Sequence, residues 1–421
     1  MPITEAELAR RLRDARENCA LTQQQAADAL EIGRTAVAEL EAGRRSVTSL
    51  ELVRLARLYG RSLQEFVRDE AFHEDPVVAL FRATPGVADD AHMSAGLREC
   101  LNLCREVSRL EEMLGMPHAE AAELRYAFEI PATRWDAIRQ GRSAAERERN
   151  RLELGVTPVR EIAEVLRGQG VRVSEHDMPD DISGLFVHSR ELGLIVIVNR
   201  THAPTRRLFS CAHEFAHALL DRDQPGKISR ESNREELQEV RANAFAAHFL
   251  MPEAGVRGFL RSLGKGESSR QVAEVFDAAT DAGRAEGVEA QKRLPPGSQE
   301  LDVHDVVAIA YHFGVSYDAA LYQLLNLKNL TRDRFDALKG RRDQAALVAK
   351  ALRREASTED VHWSLAEQIL ALAFEAFRRE EISRMKLVEL AGQAGVARDD
   401  IDRALEAEGR GPEPVDVQLP E

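Results

Sequence analysis

The chain has 421 residues, 44% apolar, 30% charged and 5% aromatic, with a net charge of −14. At roughly one domain per 100–200 residues this length implies two to four domains, and the composition excludes fibrous and disordered classes. Such acidity excludes a protein that coats nucleic acid along its whole length, but not a DNA-binding module confined to one face.

From the amino terminus, Leu8, Ala9, Leu12 and Ala15 recur at helical spacing and predict a helix over 5–17. Thr22 is placed as the cap of a second short helix, Gln23 to Leu30, with Gly33 in the turn after it. A third helix is expected over Arg34 to Glu41, closed by Gly43, and a fourth from about Ser49 to Tyr59, closed by Gly60. Residues 1–68 hold eleven arginines against ten acids, a net +1, which leaves −15 for the remainder. Short helices joined by tight turns are the helix-turn-helix arrangement, whose second helix enters the major groove. The run Leu21-Thr-Gln-Gln-Gln-Ala-Ala27, followed by Arg34-Thr-Ala-Val-Ala-Glu-Leu-Glu-Ala-Gly-Arg-Arg45, resembles the phage-repressor-like (XRE-type) helix-turn-helix family. That resemblance, over residues 5–68, implies an all-helical domain that binds palindromic operators as a homodimer. It also implies Arg34, Thr35 and Ala38 on the groove-facing side of the recognition helix, with Gln23, Arg44 and Arg45 set against phosphates.

Residues 69–145 read as helical, with Asp75-Pro76 ending the DNA-binding segment. Leu97 to Leu114 is amphipathic and suited to a dimer contact, and Trp135 is expected as a core anchor. Of the four cysteines (Cys19, Cys100, Cys104, Cys211), Cys100 and Cys104 lie one helical turn apart and read as small apolar residues on one helix face. So few cysteines, with no CxxC pair, fit a reducing cytoplasm. The amino terminus has neither a basic start nor an apolar stretch, and no run approaches ~18 apolar residues, so neither a signal peptide nor a membrane span is expected.

The most informative segment is His213-Glu-Phe-Ala-His217, within a predicted helix from Leu208 to Arg222. At i and i+4 two imidazoles share one helix face, where both can reach a metal shell of about 2.0–2.1 Å. Glu214 stands beside that metal position and can take a proton from a water and return it to a leaving amine. The motif gains weight from its surroundings. Phe209, Ala212, Phe215, Ala216, Leu219 and Leu220 crowd the helix, so buried histidines need a partner. The apolar run Leu194-Ile195-Val196-Ile197-Val198 precedes it and is expected as an edge strand that holds an extended substrate. An acidic helix follows, in which Glu239 is the leading third ligand and Glu235, one turn earlier on the same face, the runner-up. His248 lies about half a turn away from Glu239 and is read as a half-exposed surface residue. Tyr311 and His312 could donate to an oxyanion, but beside Ala308 and Phe313 they read as ordinary helix residues.

The run Arg206 to Leu220, followed by Glu239-Val-Arg-Ala-Asn-Ala-Phe-Ala-Ala-His-Phe-Leu-Met-Pro252, resembles the ImmA/IrrE metallopeptidase family. The shared pattern is HExxH, a Glu four residues before an Asn, then FA and a closing MP. It extends to Thr157-Pro-Val-Arg, Gly184-Leu-Phe, Asp305-Val-Val, Gly314-Val-Ser and Leu321 to Asn326. The resemblance implies one Zn2+ per chain on His213, His217 and Glu239, with Glu214 as base, and a regulator whose peptidase cleaves a repressor. A polar stretch at about 254–300, including Lys292-Arg-Leu-Pro-Pro-Gly297, departs from the pattern and reads as an insertion or gating loop. Helices over 341–406, among them Ile382 to Ala394, resemble a second helix-turn-helix and read as a packing or dimerisation module.

The expected fold is mostly α with a small β-sheet (α+β). It comprises a helix-turn-helix domain (1–70), a helical connector (71–145), a zincin-like metallopeptidase domain (146–340), a helical module (341–410) and a disordered acidic tail (411–421). The expected partners are double-stranded operator DNA and a protein substrate, a repressor or the chain itself, cut by a zinc endopeptidase. The alternative is a non-catalytic repressor or antitoxin whose zinc domain is a sensor or structural module.

Overall fold

A computed structural model describes residues 4–18, 21–59, 63, 66, 91–116, 126–189, 192–222, 226–265, 270–276, 287–293, 298–353 and 365–407. Cys19, Gly60, the Asp75-Pro76 junction, residues 294–297 and the tail 411–421 lie outside the described residues.

Helices α1 (Glu5–Asn18), α2 (Gln23–Leu30), α3 (Arg34–Glu41) and α4 (Ser49–Leu58) surround a small core of Leu12, Ala15, Ala26, Ala27, Leu30, Val37, Leu55, Tyr59 and Phe66. Thr22 caps α2 with a reciprocal bond to Gln25, as expected. The tight turn is made by Glu31, at φ 59°, rather than by Gly33, which is extended at φ −73° and precedes α3. Gly43, at φ 66°, follows α3 where a left-handed residue ends a helix with least strain. Arg16 and Glu41 form a buried ion pair at 2.6 Å that ties α1 to the end of α3.

The remaining elements organise around one sheet. Helices α5 (Ala91–Met113), α6 (Arg134–Arg151) and α7 (Ile162–Arg167) precede β1 (Val171–His176), β2 (Ile182–Ser189) and β3 (Gly193–Asn199). Helix α8 (Pro204–Leu220) is followed by β4 (Gly226–Arg230) and α9 (Leu237–Leu250). The strand order is β1-β3-β2-β4, with β1 and β3 parallel and the other two pairings antiparallel. Side chains alternate across the sheet. Phe186, Leu194, Val196 and Val198 face one core, while Leu185, Val187, Ile195 and Ile197 face another.

This corrects one expectation directly. Ile195, Val196, Ile197 and Val198 lie on β3, which is paired on both sides and has no free edge. An uninterrupted apolar run is the signature of a strand covered on both faces, and such strands sit inside a sheet. The edge strand that carries Lys227 to Glu239 is β4, paired only with β2 among the described residues.

The first core also takes in α10 (Glu253–Ser262), α11 (Val303–Phe313), α12 (Tyr317–Asn326), α13 (Arg332–Lys339) and α14 (Arg342–Ala351). The second core holds α5 together with α15 (Leu365–Arg378), α16 (Arg384–Gln393) and α17 (Arg398–Ala407). The expected boundaries near 146 and 340 therefore do not separate the packing. Helix α14 joins the first core through Ala345, and the connector and carboxy-terminal helices jointly cover the back of the sheet. The apolar face of α5, expected at a dimer contact, is buried inside the chain by these contacts. Cys100 and Cys104 lie in this core, where burial pushes their thiols up to about 11 and about 12. Trp135 is 72% exposed, not a core anchor. The region 254–300 is more than a loop: it contains most of α10 and a hairpin of β5 (Arg270–Phe276) with β6 (Gly287–Arg293).

Candidate metal centre and nucleic-acid interface

Two parallel-running helices, α6 and α9, pack closely at Gly141, where a Cβ would fall 2.3 Å from the Arg241 carbonyl. Helix α8 locks onto α9 through Phe215, whose ring centroid lies 5.9 Å from that of Phe245 and 6.0 Å from that of Phe249. All three rings are fully buried, each contributing roughly 1.5–3 kcal/mol by its burial. This packing sets the face of α8 that carries His213 and His217 against the first turn of α9, which carries Glu239.

There the three side chains converge. The two Nε2 atoms are 3.2 Å apart, His213 Nε2 is 3.0 Å from Glu239 Oε2, and His217 Nε2 is 3.4 Å from Glu239 Oε1. Ligands at about 2.0–2.1 Å around a tetrahedral ion stand roughly 3.3–3.4 Å apart, close to the separation of the two Nε2 atoms and to that of each from its nearer Glu239 oxygen. Among the described residues, His213, His217 and Glu239 are the one group of this kind that could hold a metal ion.

The tautomers support the same assignment. Asn243 Oδ1 accepts from His213 Nδ1 at 3.0 Å, and Asp221 Oδ2 accepts from His217 Nδ1 at 2.7 Å. Each ring thus carries its proton on Nδ1 and turns a lone pair inward. Two lone pairs and a carboxylate facing one another repel unless a metal ion sits between them or, without one, a proton on one of the rings takes its place. The electrostatics record that demand. Burial opposes charge on His217, but Asp221 and Glu239 overcome it and lift its pKa to about 10. Burial likewise works against ionisation of Glu239, but the two imidazoles hold its carboxyl far below the usual range. Burial also disfavours the Asp221 carboxylate, which His217 and Arg241 keep ionised; Arg241 lies 2.5 Å from its Oδ1.

Glu214 is fully buried, and neither of its oxygens meets hydrogen-bond geometry with a neighbour. It lies under β2 at Gly184, where a Cβ would approach the Glu214 Cγ and Oε1 to 3.1 Å and the Ile197 carbonyl to 2.9 Å. Glycine is required there by close approach rather than by a turn. Burial raises the Glu214 pKa, the histidines pull it down and Glu239 pushes it back up, for a net rise. A carboxyl raised in this way, beside a cation site, has the character of a general base.

The other expected positions separate clearly. Glu235, the rival ligand, is 68% exposed and pairs with Arg134 at 2.5 Å. His248 is buried, not half-exposed, and faces away from the cluster to Gln323 at 3.3 Å. The Tyr311 ring lies under Arg160 at 5.5 Å, and His312 stacks on Phe259 at 4.2 Å. Sequence reasoning missed Asp221 as the partner of His217, although it lies four residues on along the same face. It also missed Lys227 and Ser229, which β4 brings to the cluster; no local signal marks them, because the register of β4 is set by distant pairing.

In the amino-terminal unit, Arg34 and Thr35 are exposed at the start of α3 and Ala38 is half-buried. Arg44 is exposed as well, whereas Arg45 pairs with Glu51 at 2.7 Å and Gln23 donates to Glu41 at 2.9 Å. Two of the three residues expected at phosphates are thus engaged within the domain.

Comparison with curated proteins finds no match. Family models match two segments: one described as helix-turn-helix over residues 12–66, and one described as IrrE N-terminal-like domain over residues 166–282. The second spans β1 to β4, the HExxH helix and Glu239. The chain therefore carries, in that order, a segment similar to XRE-type helix-turn-helix domains and a segment similar to the metallopeptidase-like domains of the ImmA/IrrE kind.

Proposed function

We propose that this protein is a DNA-binding transcription regulator whose second domain is a zinc endopeptidase, cleaving a regulatory protein (a partner repressor or its own chain) to switch gene expression. The observation that carries the reading is the convergence of two imidazole Nε2 atoms and the Glu239 carboxylate beside the buried carboxyl of Glu214. His213, His217 and Glu239 would hold a zinc ion, which when bound would supply Lewis acidity toward a peptide carbonyl and a water. Glu214 takes the proton from the attacking water and delivers it to the leaving amine. Asn243 and Asp221 keep the imidazoles in the ligating tautomer. An extended segment of substrate adds to the outer side of β4, whose other side pairs with β2. At the other end of the chain Arg34 and Thr35 present an exposed face for the major groove, and operator recognition by this domain type favours a homodimer in the cytoplasm.

The test is to incubate zinc-loaded protein with candidate repressors and with itself, with and without operator DNA, and to identify fragments by mass spectrometry. Cleavage by the wild type that disappears in Glu214→Gln, with zinc still bound, supports the reading. Equal cleavage by Glu214→Gln removes Glu214 as the base. The burial of the site favours one rival: His213, Glu214, His217 and Glu239 are each at most 5% exposed, as suits a non-catalytic repressor or antitoxin with a structural or sensing metal. Regulation in vivo that is unchanged by Glu214→Gln selects that rival.

A further inference from the structure

Strand β4 turns Ile228 into the second core and, by alternation, Lys227 and Ser229 toward the opposite side, where the metal cluster lies. The Lys227 side chain is only 8% exposed, an unusual place for a lysine. It donates to Gln238 Oε1 at 2.8 Å and to Glu236 Oε2 at 3.2 Å. Oε1 of Glu239 lies 3.1 Å from the same nitrogen, an ion-pair contact outside hydrogen-bond geometry. Glu236 alone would serve a structural ion pair, since its side chain is 56% exposed and free to follow the lysine. Instead, a fixed positive charge is held against a carboxylate that faces a cation site, where it is repelled by any metal bound there.

A carboxylate can bind a metal through one oxygen or both. A zinc centre that turns over keeps three protein ligands and an open position, and a second oxygen from Glu239 would fill that position. We propose that Lys227 is a positioning residue of the metal centre: its charge, held against Oε1 of Glu239, keeps that oxygen from the metal and leaves Oε2, the oxygen that faces His213, to bind it. The proposal rests on the reading of His213, His217 and Glu239 as metal ligands. It also gives β4 two roles, since the strand offered to substrate is the one that sets the coordination number.

The experiment reads the metal centre, not activity. Zinc K-edge X-ray absorption of the loaded wild type is expected to show Glu239 bound through a single oxygen. The visible spectrum of the cobalt(II)-substituted wild type is expected to be intense, as low coordination numbers give, and Lys227→Met is expected to lose intensity as the second oxygen joins. A chelating carboxylate in the wild type overturns the proposal, and so does a cobalt spectrum unchanged by Lys227→Met. If Lys227→Met does not fold, the wild-type absorption spectrum decides alone. A folded wild type that takes up neither metal refutes the ligand set itself, and the proposal with it; unchanged spectra refute only the role of Lys227.

Discussion

Replacing Asp221 by asparagine tests the tautomer argument at one atom. The carboxylate bridges His217 Nδ1 at 2.7 Å and the Arg241 guanidinium at 2.5 Å, and all three side chains are at most 4% exposed. An asparagine of the same shape has one acceptor and one donor. If its oxygen takes the His217 proton, its NH2 faces the Arg241 N–H groups. If its oxygen instead serves Arg241, its NH2 faces Nδ1 and drives the imidazole proton onto Nε2, the ligating atom. Loss of such a partner to a metal-bound histidine lowers metal affinity by about 10–100-fold, or roughly 1.4–2.8 kcal/mol. Leaving the Arg241 charge without its carboxylate costs about 3–5 kcal/mol in the metal-free protein, as for any broken buried pair. The two effects are measured separately: zinc affinity by competition with a metallochromic chelator at a temperature where circular dichroism shows the variant folded, and the thermal midpoint in excess chelator. A folded Asp221→Asn whose zinc affinity stays within about twofold of wild type would show that Asp221 does not select the tautomer.

Two further perturbations probe other parts of the chain. Burial and the nearby Arg142 depress His248 to about 4, with Glu146 and Glu253 opposing, while Gln323 bonds its ring. Its folded pKa lies below that of the unfolded chain, so stability is present above about pH 6.5 and is lost as pH falls toward 4, by up to roughly 3 kcal/mol. Metal-free His248→Gln is therefore expected to lose less thermal stability than wild type between pH 7 and 4.5, and parallel pH curves would contradict the buried neutral ring. Arg34 is exposed and, among the described residues, makes no ion pair, so Arg34→Ala is expected to leave helix content unchanged while weakening binding to duplexes enriched from random DNA by about 10–100-fold. Unchanged affinity and salt dependence by fluorescence anisotropy would remove Arg34 from the interface.

The local parts of this protein were readable from the chain alone because each depends on a few neighbouring residues. Thr22 and Gln25 write a helix cap within four positions, and His213 and His217 share a face because a helix turns every 3.6 residues. Even Glu239 was reachable, since the helix that carries it keeps one apolar side. What depended on distant pairing was not readable. The run Ile195 to Val198 looks the same whether it lies at an edge or within a sheet, and only its two neighbours, β1 and β2, decide that. The face of Leu97 to Leu114 is equally apolar whether it meets a second copy or the chain's own α15. The charge of Lys227 says nothing of a metal until β4 brings it beside Glu239. Sequence determined the candidate ligands and their spacing; tertiary structure decided what surrounds them, because buried polar groups must find partners and those partners come from elsewhere in the chain.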